Sequence, residues 1–135
     1  LKLGLVAILP NTFPMLTVFG LMGWLDFNLD ITTLMTAPII IGIAVDDTIH
    51  FITHYRLSLL KGASISEAIH STLHEVGQAI IITTLILMSI FLFFIPVSHV
   101  GVSRFSILAV IAVFSALLAD LFLLPALCRV LRVRV

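Results

Sequence analysis

The chain has 135 residues, of which 61% are hydrophobic and 10% are charged, and its formal net charge is zero. Soluble domains carry roughly 25% charged residues, so this composition indicates a membrane protein with little soluble mass. The neutral balance argues against a surface that binds nucleic acid. The single cysteine, Cys128, excludes an internal disulfide and is too little for a thiolate metal site.

Four apolar segments are each long enough to cross a bilayer, which takes about 20 residues. Pro10 and Pro14 interrupt the first segment, and we expect them to kink it because proline removes helical hydrogen bonds. Trp24 at its end is typical of an interfacial anchor. The fold class predicted is an all-α, polytopic membrane helical bundle, a single transmembrane region over residues 1–135. The predicted spans cover residues 3–24, 31–55, 79–97 and 105–130.

The sequence becomes polar between the second and third spans. Ser64 and Glu67 form a capping-box pattern, and apolar residues follow them at helical spacing. The pattern predicts one short amphipathic helix, over about residues 65–76, lying on the cytoplasmic membrane surface. We expect this helix to end near Gly77.

The basic residues predict the orientation of the chain. If both termini are cytoplasmic, Arg104 alone lies outside, and this is the arrangement that the positive-inside rule favours. The basic residues then inside are Lys2, Arg56, Lys61, Arg129, Arg132 and Arg134.

Two adjacent carboxylates, Asp46 and Asp47, lie inside the second span. An ionised carboxylate at the centre of a spanning helix costs ~2.5–3.5 kcal/mol, and like charges side by side oppose joint ionisation. His50 follows at a spacing that can share a helix face with either acid. We interpret the pair as a protonation site. The alternative is a static pair neutralised by a basic partner on another helix.

Three further polar residues are candidate partners of this pair. Thr83 and Thr84 lie early in the third span, where a threonine either bonds back to its own helix carbonyls or faces the acids as a relay partner. Asp120, in the fourth span, could reach interfacial water, pair with Arg129, or join the relay. With His50, these residues complete the set of candidate relay partners.

Two histidine pairs raise the question of a metal site. His50 and His54, like His70 and His74, are four residues apart and could share an ion. However, the H-E-x-x-H motif is absent, and His70 and His74 fall on the predicted surface helix. We therefore expect no metal and no other cofactor, and a histidine-metal membrane enzyme is the less favoured alternative. Because no phosphate-binding glycine loop is present, an energised function would draw on an ion gradient.

Several motifs occur along the chain in a fixed order. They are GIAVDDTIHFITHYR, the pattern G-x-S-x-x-E-A-I at residues 62–69, EVGQAIIITTLIL and FSALLADLFLLPALCRVL. Together they resemble the resistance–nodulation–division (RND) superfamily over essentially the whole chain. The nearest branch resembles the predicted hydrophobe exporters related to the mycobacterial large membrane proteins and to Patched and Dispatched.

The resemblance implies a role for each candidate residue. Asp46 and Asp47 fall on the family's proton-relay acids, and Thr83 or Thr84 falls near a position linked to the relay. The chain would supply the last four helices of one half of a twelve-helix protein, and its basic tail favours the C-terminal half. One departure is the absence of an intramembrane lysine, so the partner of the acids would come from the other half, or from His50 and Asp120.

The sequence thus predicts a secondary active transporter rather than an enzyme. It would be a multi-pass protein of the bacterial cytoplasmic membrane that exports hydrophobic or lipid-like substrates at the expense of a proton gradient. Its partners would be the lipid bilayer, protons, and the remaining half and extracytoplasmic domain of the transporter, with a homo-oligomer left open. The alternative is a sterol- or lipid-sensing module that does not transport.

Overall fold

The computed structural model describes residues 2–28 and 30–131, with side chains from residue 4 onward. The described residues are mostly helical and contain no strand, which confirms the all-α fold class. A π-helical turn, Ala119–Leu123, joins the last two helices. The α-helices are α1 (Lys2–Trp24), α2 (Ile31–Leu34), α3 (Thr36–Leu60), α4 (Ile65–Phe94), α5 (Val100–Leu118) and α6 (Leu124–Val130).

Four helical segments are long and apolar enough to cross a membrane, as predicted. They are Gly4–Trp24, Ile31–Leu60, Ile65–Phe94 and Val100–Val130. Large apolar side chains such as Leu16, Phe93 and Phe122 are about 70% exposed or more on the outside of the bundle. Such a surface is expected where lipid or another membrane protein replaces water.

The fourth segment is the centre of the bundle. Helix α5 packs against α1, α3 and α4, and α3 packs in addition against α1 and α4. Half of the residues in an apolar 18-residue stretch of Val100–Val130 are buried, against 17% in the corresponding stretch of Ile65–Phe94. Helix α4 is therefore the most peripheral span.

The interior consists of two apolar clusters at different levels of the bundle. Cluster A is formed by Val6, Phe51, Tyr55, Ala68, Leu124 and Cys128. Cluster B is formed by Val18, Met22, Ile40, Leu108 and Ala112.

The expected surface helix is not separate from the third span. A single helix, Ile65–Phe94, contains both, so the predicted boundary between residues 65–76 and 79–97 was wrong. Gly77 is buried in this helix, and a Cβ added there would lie 3.4 Å from Leu121 Cδ2. The glycine therefore permits close packing against the π-turn rather than ending the helix, and an internal glycine costs a helix only about 1 kcal/mol.

The start of α4 is capped as the sequence predicts. The Ser64 backbone N–H donates to Glu67 Oε2 at 2.8 Å, and the Glu67 N–H donates to Ser64 Oγ at 3.3 Å. These reciprocal bonds satisfy two backbone donors that have no partner inside the helix. The capping-box prediction is confirmed.

Other boundaries differ by a few residues. The second segment continues to Leu60 rather than to residue 55, the third ends at Phe94, and the fourth starts at Val100 rather than at residue 105. Hydropathy marks where charged residues begin, whereas a helix continues through residues such as Arg56 that have good helix propensity.

Two local features concern proline. Helix α1 is continuous through Pro10 and Pro14, and the kink expected there stays a prediction. The π-turn ends two residues before Pro125, which lacks the N–H that an α-helix would donate to the Leu121 carbonyl. A π-turn is a rare feature that often marks functional sites, and this one carries Asp120.

Candidate functional site

An open groove of about 310 Å³ lies between α3 and α4, and we call it the acidic groove. It brings together Asp46, Asp47 and His50 of α3 with Thr83 of α4, so four predicted site residues share one space. The α4 side is completed by Glu75, Val76, Ala79 and Ile80.

The two acids occupy different environments within the groove. Asp46 Oδ1 lies 3.7 Å from His50 Nε2, and these side chains are 75% and 70% exposed respectively. Asp47 is half-buried. Adjacent residues of a helix point about 100° apart, so one acid turns outward and the other turns toward the bundle. His50 is therefore a basic neighbour of Asp46, as the sequence predicts.

The two threonines of α4 separate. Thr83 lines the groove, but its hydroxyl donates to the carbonyls of Ala79 at 3.1 Å and Ile80 at 3.0 Å, within its own helix. Thr84 is 2% exposed and lies outside the set of groove residues. Thr83 is therefore the threonine placed near the acids.

Asp120 lies away from the acidic groove, buried in the bundle at 1% exposure. Its Oδ1 atom lies 2.7 Å from Thr48 Oγ1. Its Oδ2 atom is buried and has no hydrogen-bond partner among the described residues, so the pairing with Arg129, one of the alternatives considered for this acid, is not formed there.

Neither Asn11 nor Thr48, the other two members of this second cluster, is among the site residues predicted from the sequence. Thr48 Oγ1 also lies 2.8 Å from Asn11 Oδ1, so one hydroxyl connects α1, α3 and the π-turn. We call Asn11, Thr48 and Asp120 the polar layer. Asn11 could have been found as the amide of an apolar span, since such side chains commonly hydrogen-bond between membrane helices.

The other histidines have separate surroundings. His54 Nδ1 lies 3.1 Å from Thr72 Oγ1, and its Nε2 lies 3.0 Å from Glu75 Oε2, so this histidine connects α3 to α4. His70 and His74 are exposed. Within residues 2–28 and 30–131, no three His, Cys, Asp or Glu side chains are grouped to hold one metal ion.

Comparison with known proteins identifies the family. The model of the AcrB/AcrD/AcrF family matches residues 6–133. The chain belongs to this family. The AcrB/AcrD/AcrF family is part of the RND superfamily, so the resemblance drawn from the motifs is confirmed. With its four spans, the chain is a multi-pass membrane domain of transporter type.

Two relatives show the same kinship. The hopanoid transporter HpnN of Burkholderia multivorans is 30% identical over 102 residues, which are 76% of this chain and 12% of that protein. The membrane protein MJ1562 of Methanocaldococcus jannaschii is 32% identical over 80 residues, which are 59% of this chain and 21% of that protein. The chain thus spans a small part of the length of either relative. No solved structure matches it significantly.

Proposed function

We propose that this chain is the transmembrane part of an RND-type exporter driven by the proton motive force, and that Asp46 and Asp47 bind the coupling protons. The observation that carries the proposal is the acidic groove, which gathers two carboxylates and a histidine inside a membrane span. Family membership supplies the transporter context. The activity is transport rather than enzymatic catalysis.

Protonation acts on helix packing in this account. An ionised carboxylate at membrane depth costs ~2.5–3.5 kcal/mol, so the charged and neutral states of the pair favour different surroundings. Both α3 and α4 line the groove, so a proton that enters from outside and neutralises Asp46 or Asp47 changes which α3–α4 packing is most stable. That shift would drive substrate movement in an extracytoplasmic domain.

The outward face of the groove indicates that something other than lipid covers it. Asp46 and His50 are 75% and 70% exposed, and two such polar side chains would be costly against lipid. We assign this face to the remaining half of the transporter or to a water-filled proton path beside it. Since the spans contain no lysine, His50 is the basic group of this chain nearest the pair, and a further counter-charge would come from that half.

The substrate class follows from the relatives and the branch. We propose a hydrophobic or lipid-like substrate, and the hopanoid transporter makes polycyclic lipids of that type the first to test. The protein would lie in the bacterial cytoplasmic membrane with both termini in the cytoplasm, as the distribution of Lys and Arg favours.

The proposal predicts that Asp46→Asn or Asp47→Asn in the complete transporter abolishes export and leaves membrane insertion intact. Asp26→Asn is the matched control, because it makes the same substitution at an exposed acid outside the spans. Efflux of a hopanoid from cells, with immunoblots of the membrane fraction, measures both properties. Normal export by both groove variants would contradict the proposal. Lipid binding by the wild type without any export would favour the sensing module instead.

A further inference from the structure

The polar layer lies between the two apolar clusters on all three elements that form it. Each layer residue has a cluster A residue on one side along its helix and a cluster B residue on the other. On α1 the order is Val6, Asn11, Val18; on α3 it is Phe51, Thr48, Ile40; and along the fourth segment it is Leu124, Asp120, Ala112. The layer is therefore enclosed by apolar packing at both ends, in surroundings where an unpaired charge is very costly.

The hydrogen bonds of the layer require one more proton than a charged Asp120 provides. Thr48 Oγ1 lies 2.8 Å from Asn11 Oδ1 and 2.7 Å from Asp120 Oδ1, and both of these oxygens are acceptors when Asp120 is ionised. A hydroxyl carries one hydrogen, so it can donate to only one of them. Two short oxygen–oxygen contacts need a second hydrogen, and a neutral Asp120 carboxyl supplies it.

The second carboxyl oxygen of Asp120 also indicates that this side chain is neutral. Asp120 Oδ2 is buried and has no partner within the described residues. An ionised carboxylate would leave a charged oxygen unsatisfied there, whereas a neutral acid leaves only a carbonyl, which costs far less to bury. From the neighbouring helices, α1 presents the neutral amide of Asn11, and α3 presents the Thr48 hydroxyl with the acid Asp47 next to it in sequence.

We infer that Asp120 is a proton-binding site distinct from the acidic groove, holding its proton toward Thr48 while Thr48 donates to Asn11. Loss of that proton would turn the Thr48 hydroxyl to the Asp120 carboxylate and leave Asn11 without its bond. Protonation of Asp120 thereby decides whether the hydrogen bond between Thr48 of α3 and Asn11 of α1 forms. The inference deepens the proposed function, on which it rests for its part in proton coupling.

Infrared spectroscopy of the complete transporter in lipid tests the inference. With ¹³C-labelled aspartate, the wild type at neutral pH should show the carbonyl stretch of a protonated aspartic acid. Asp120→Asn should remove one carboxyl equivalent of this band. Thr48→Val should keep the band and shift it to higher frequency, because the acid loses its hydrogen-bond acceptor. Ser115→Ala is the control, since this buried hydroxyl bonds only to the Ala112 carbonyl of its own helix.

Three results would overturn the inference: no label-sensitive band in the wild type, a band unchanged by Asp120→Asn, or a band that Thr48→Val does not move. The first is the signature of an Asn11 amide turned to donate to Thr48, with Asp120 charged. Should Asp120→Asn fail to fold, the wild-type label and the Thr48→Val shift still decide. The spectrum can be recorded without transport, so the two hypotheses fail separately. A protein that exports but lacks the band contradicts this inference alone. A protein that shows the band but does not export contradicts only the proposed function.

Discussion

Thr48 is the residue on which the polar layer depends, because its single hydroxyl contacts side chains from two other elements. It is 1% exposed, and it lies within 2.8 Å of Asn11 Oδ1 and 2.7 Å of Asp120 Oδ1. In an apolar surrounding, an unsatisfied polar group costs about 1–3 kcal/mol. The layer is therefore stable only while all of its members are present.

This dependence predicts a large effect from a nearly isosteric change. Thr48→Val should lower the free energy of unfolding by about 2–4 kcal/mol, because both neighbouring oxygens lose their partner. Ser115→Ala removes an equally buried hydroxyl whose bond stays within α5, and we expect it to cost ~1 kcal/mol or less. Reversible unfolding in the same detergent measures both. Equal destabilisation by the two variants would show that the layer does not connect helices energetically.

At the scale of elements, the interface of α3 and α4 combines a groove with a polar connection one to two turns away. Along α3, His54 follows the groove residue His50 by one turn and contacts Thr72 and Glu75 of α4. Glu75 lines the acidic groove as well. These contacts link α3 to α4 beside the groove.

A double-mutant cycle tests this connection. His54 and Glu75 are 25% and 65% exposed, so we expect a coupling energy of about 0.2–1 kcal/mol, typical of a partly solvated pair. His54→Ala, Glu75→Ala and the double variant supply the cycle. His74→Ala with Glu75→Ala is the control cycle, because His74 is an exposed histidine of the same helix. Coupling no greater than in the control cycle would contradict the connection.

Much of the element structure was predictable from the sequence, because hydropathy and helix caps are local signals. The four spans and the Ser64–Glu67 capping box are confirmed. The break at Gly77 was wrong because the position of a glycine in a helix does not reveal what packs against it, here Leu121. The π-turn of Ala119–Leu123 was not predicted either, since it changes the hydrogen-bond register without changing the apolar pattern.

Part of the site was predictable from the sequence in the same way. Adjacent acids in a span draw attention by their cost, so Asp46, Asp47 and His50 could be proposed together, and the acidic groove contains them. Choosing between Thr83 and Thr84 needed the rotation of α4 about its axis. The polar layer depends on contacts between residues far apart in sequence, which no local pattern encodes. Thr48 is 72 residues from Asp120 and 37 residues from Asn11.

At the scale of the whole molecule, three carboxyl groups lie at different depths from the outer surface of the bundle. Asp46 is 75% exposed on the groove side, Asp47 is half-buried, and Asp120 is 1% exposed in the interior. Thr48, which contacts Asp120, directly follows Asp47 in α3, so the groove and the polar layer adjoin along this helix.

We expect proton movement through Asp46 and Asp47 to drive export. The most direct test is the complete transporter reconstituted in liposomes with an imposed pH gradient, with proton flux and lipid-substrate movement recorded together. In the wild type, we expect proton flux only when substrate is present and substrate movement only when the pH gradient is present. Asp46→Asn and Asp47→Asn should lose both fluxes, while Asp26→Asn should keep them. Substrate movement that persists without a pH gradient, or coupled flux that survives in both groove variants, would contradict the account.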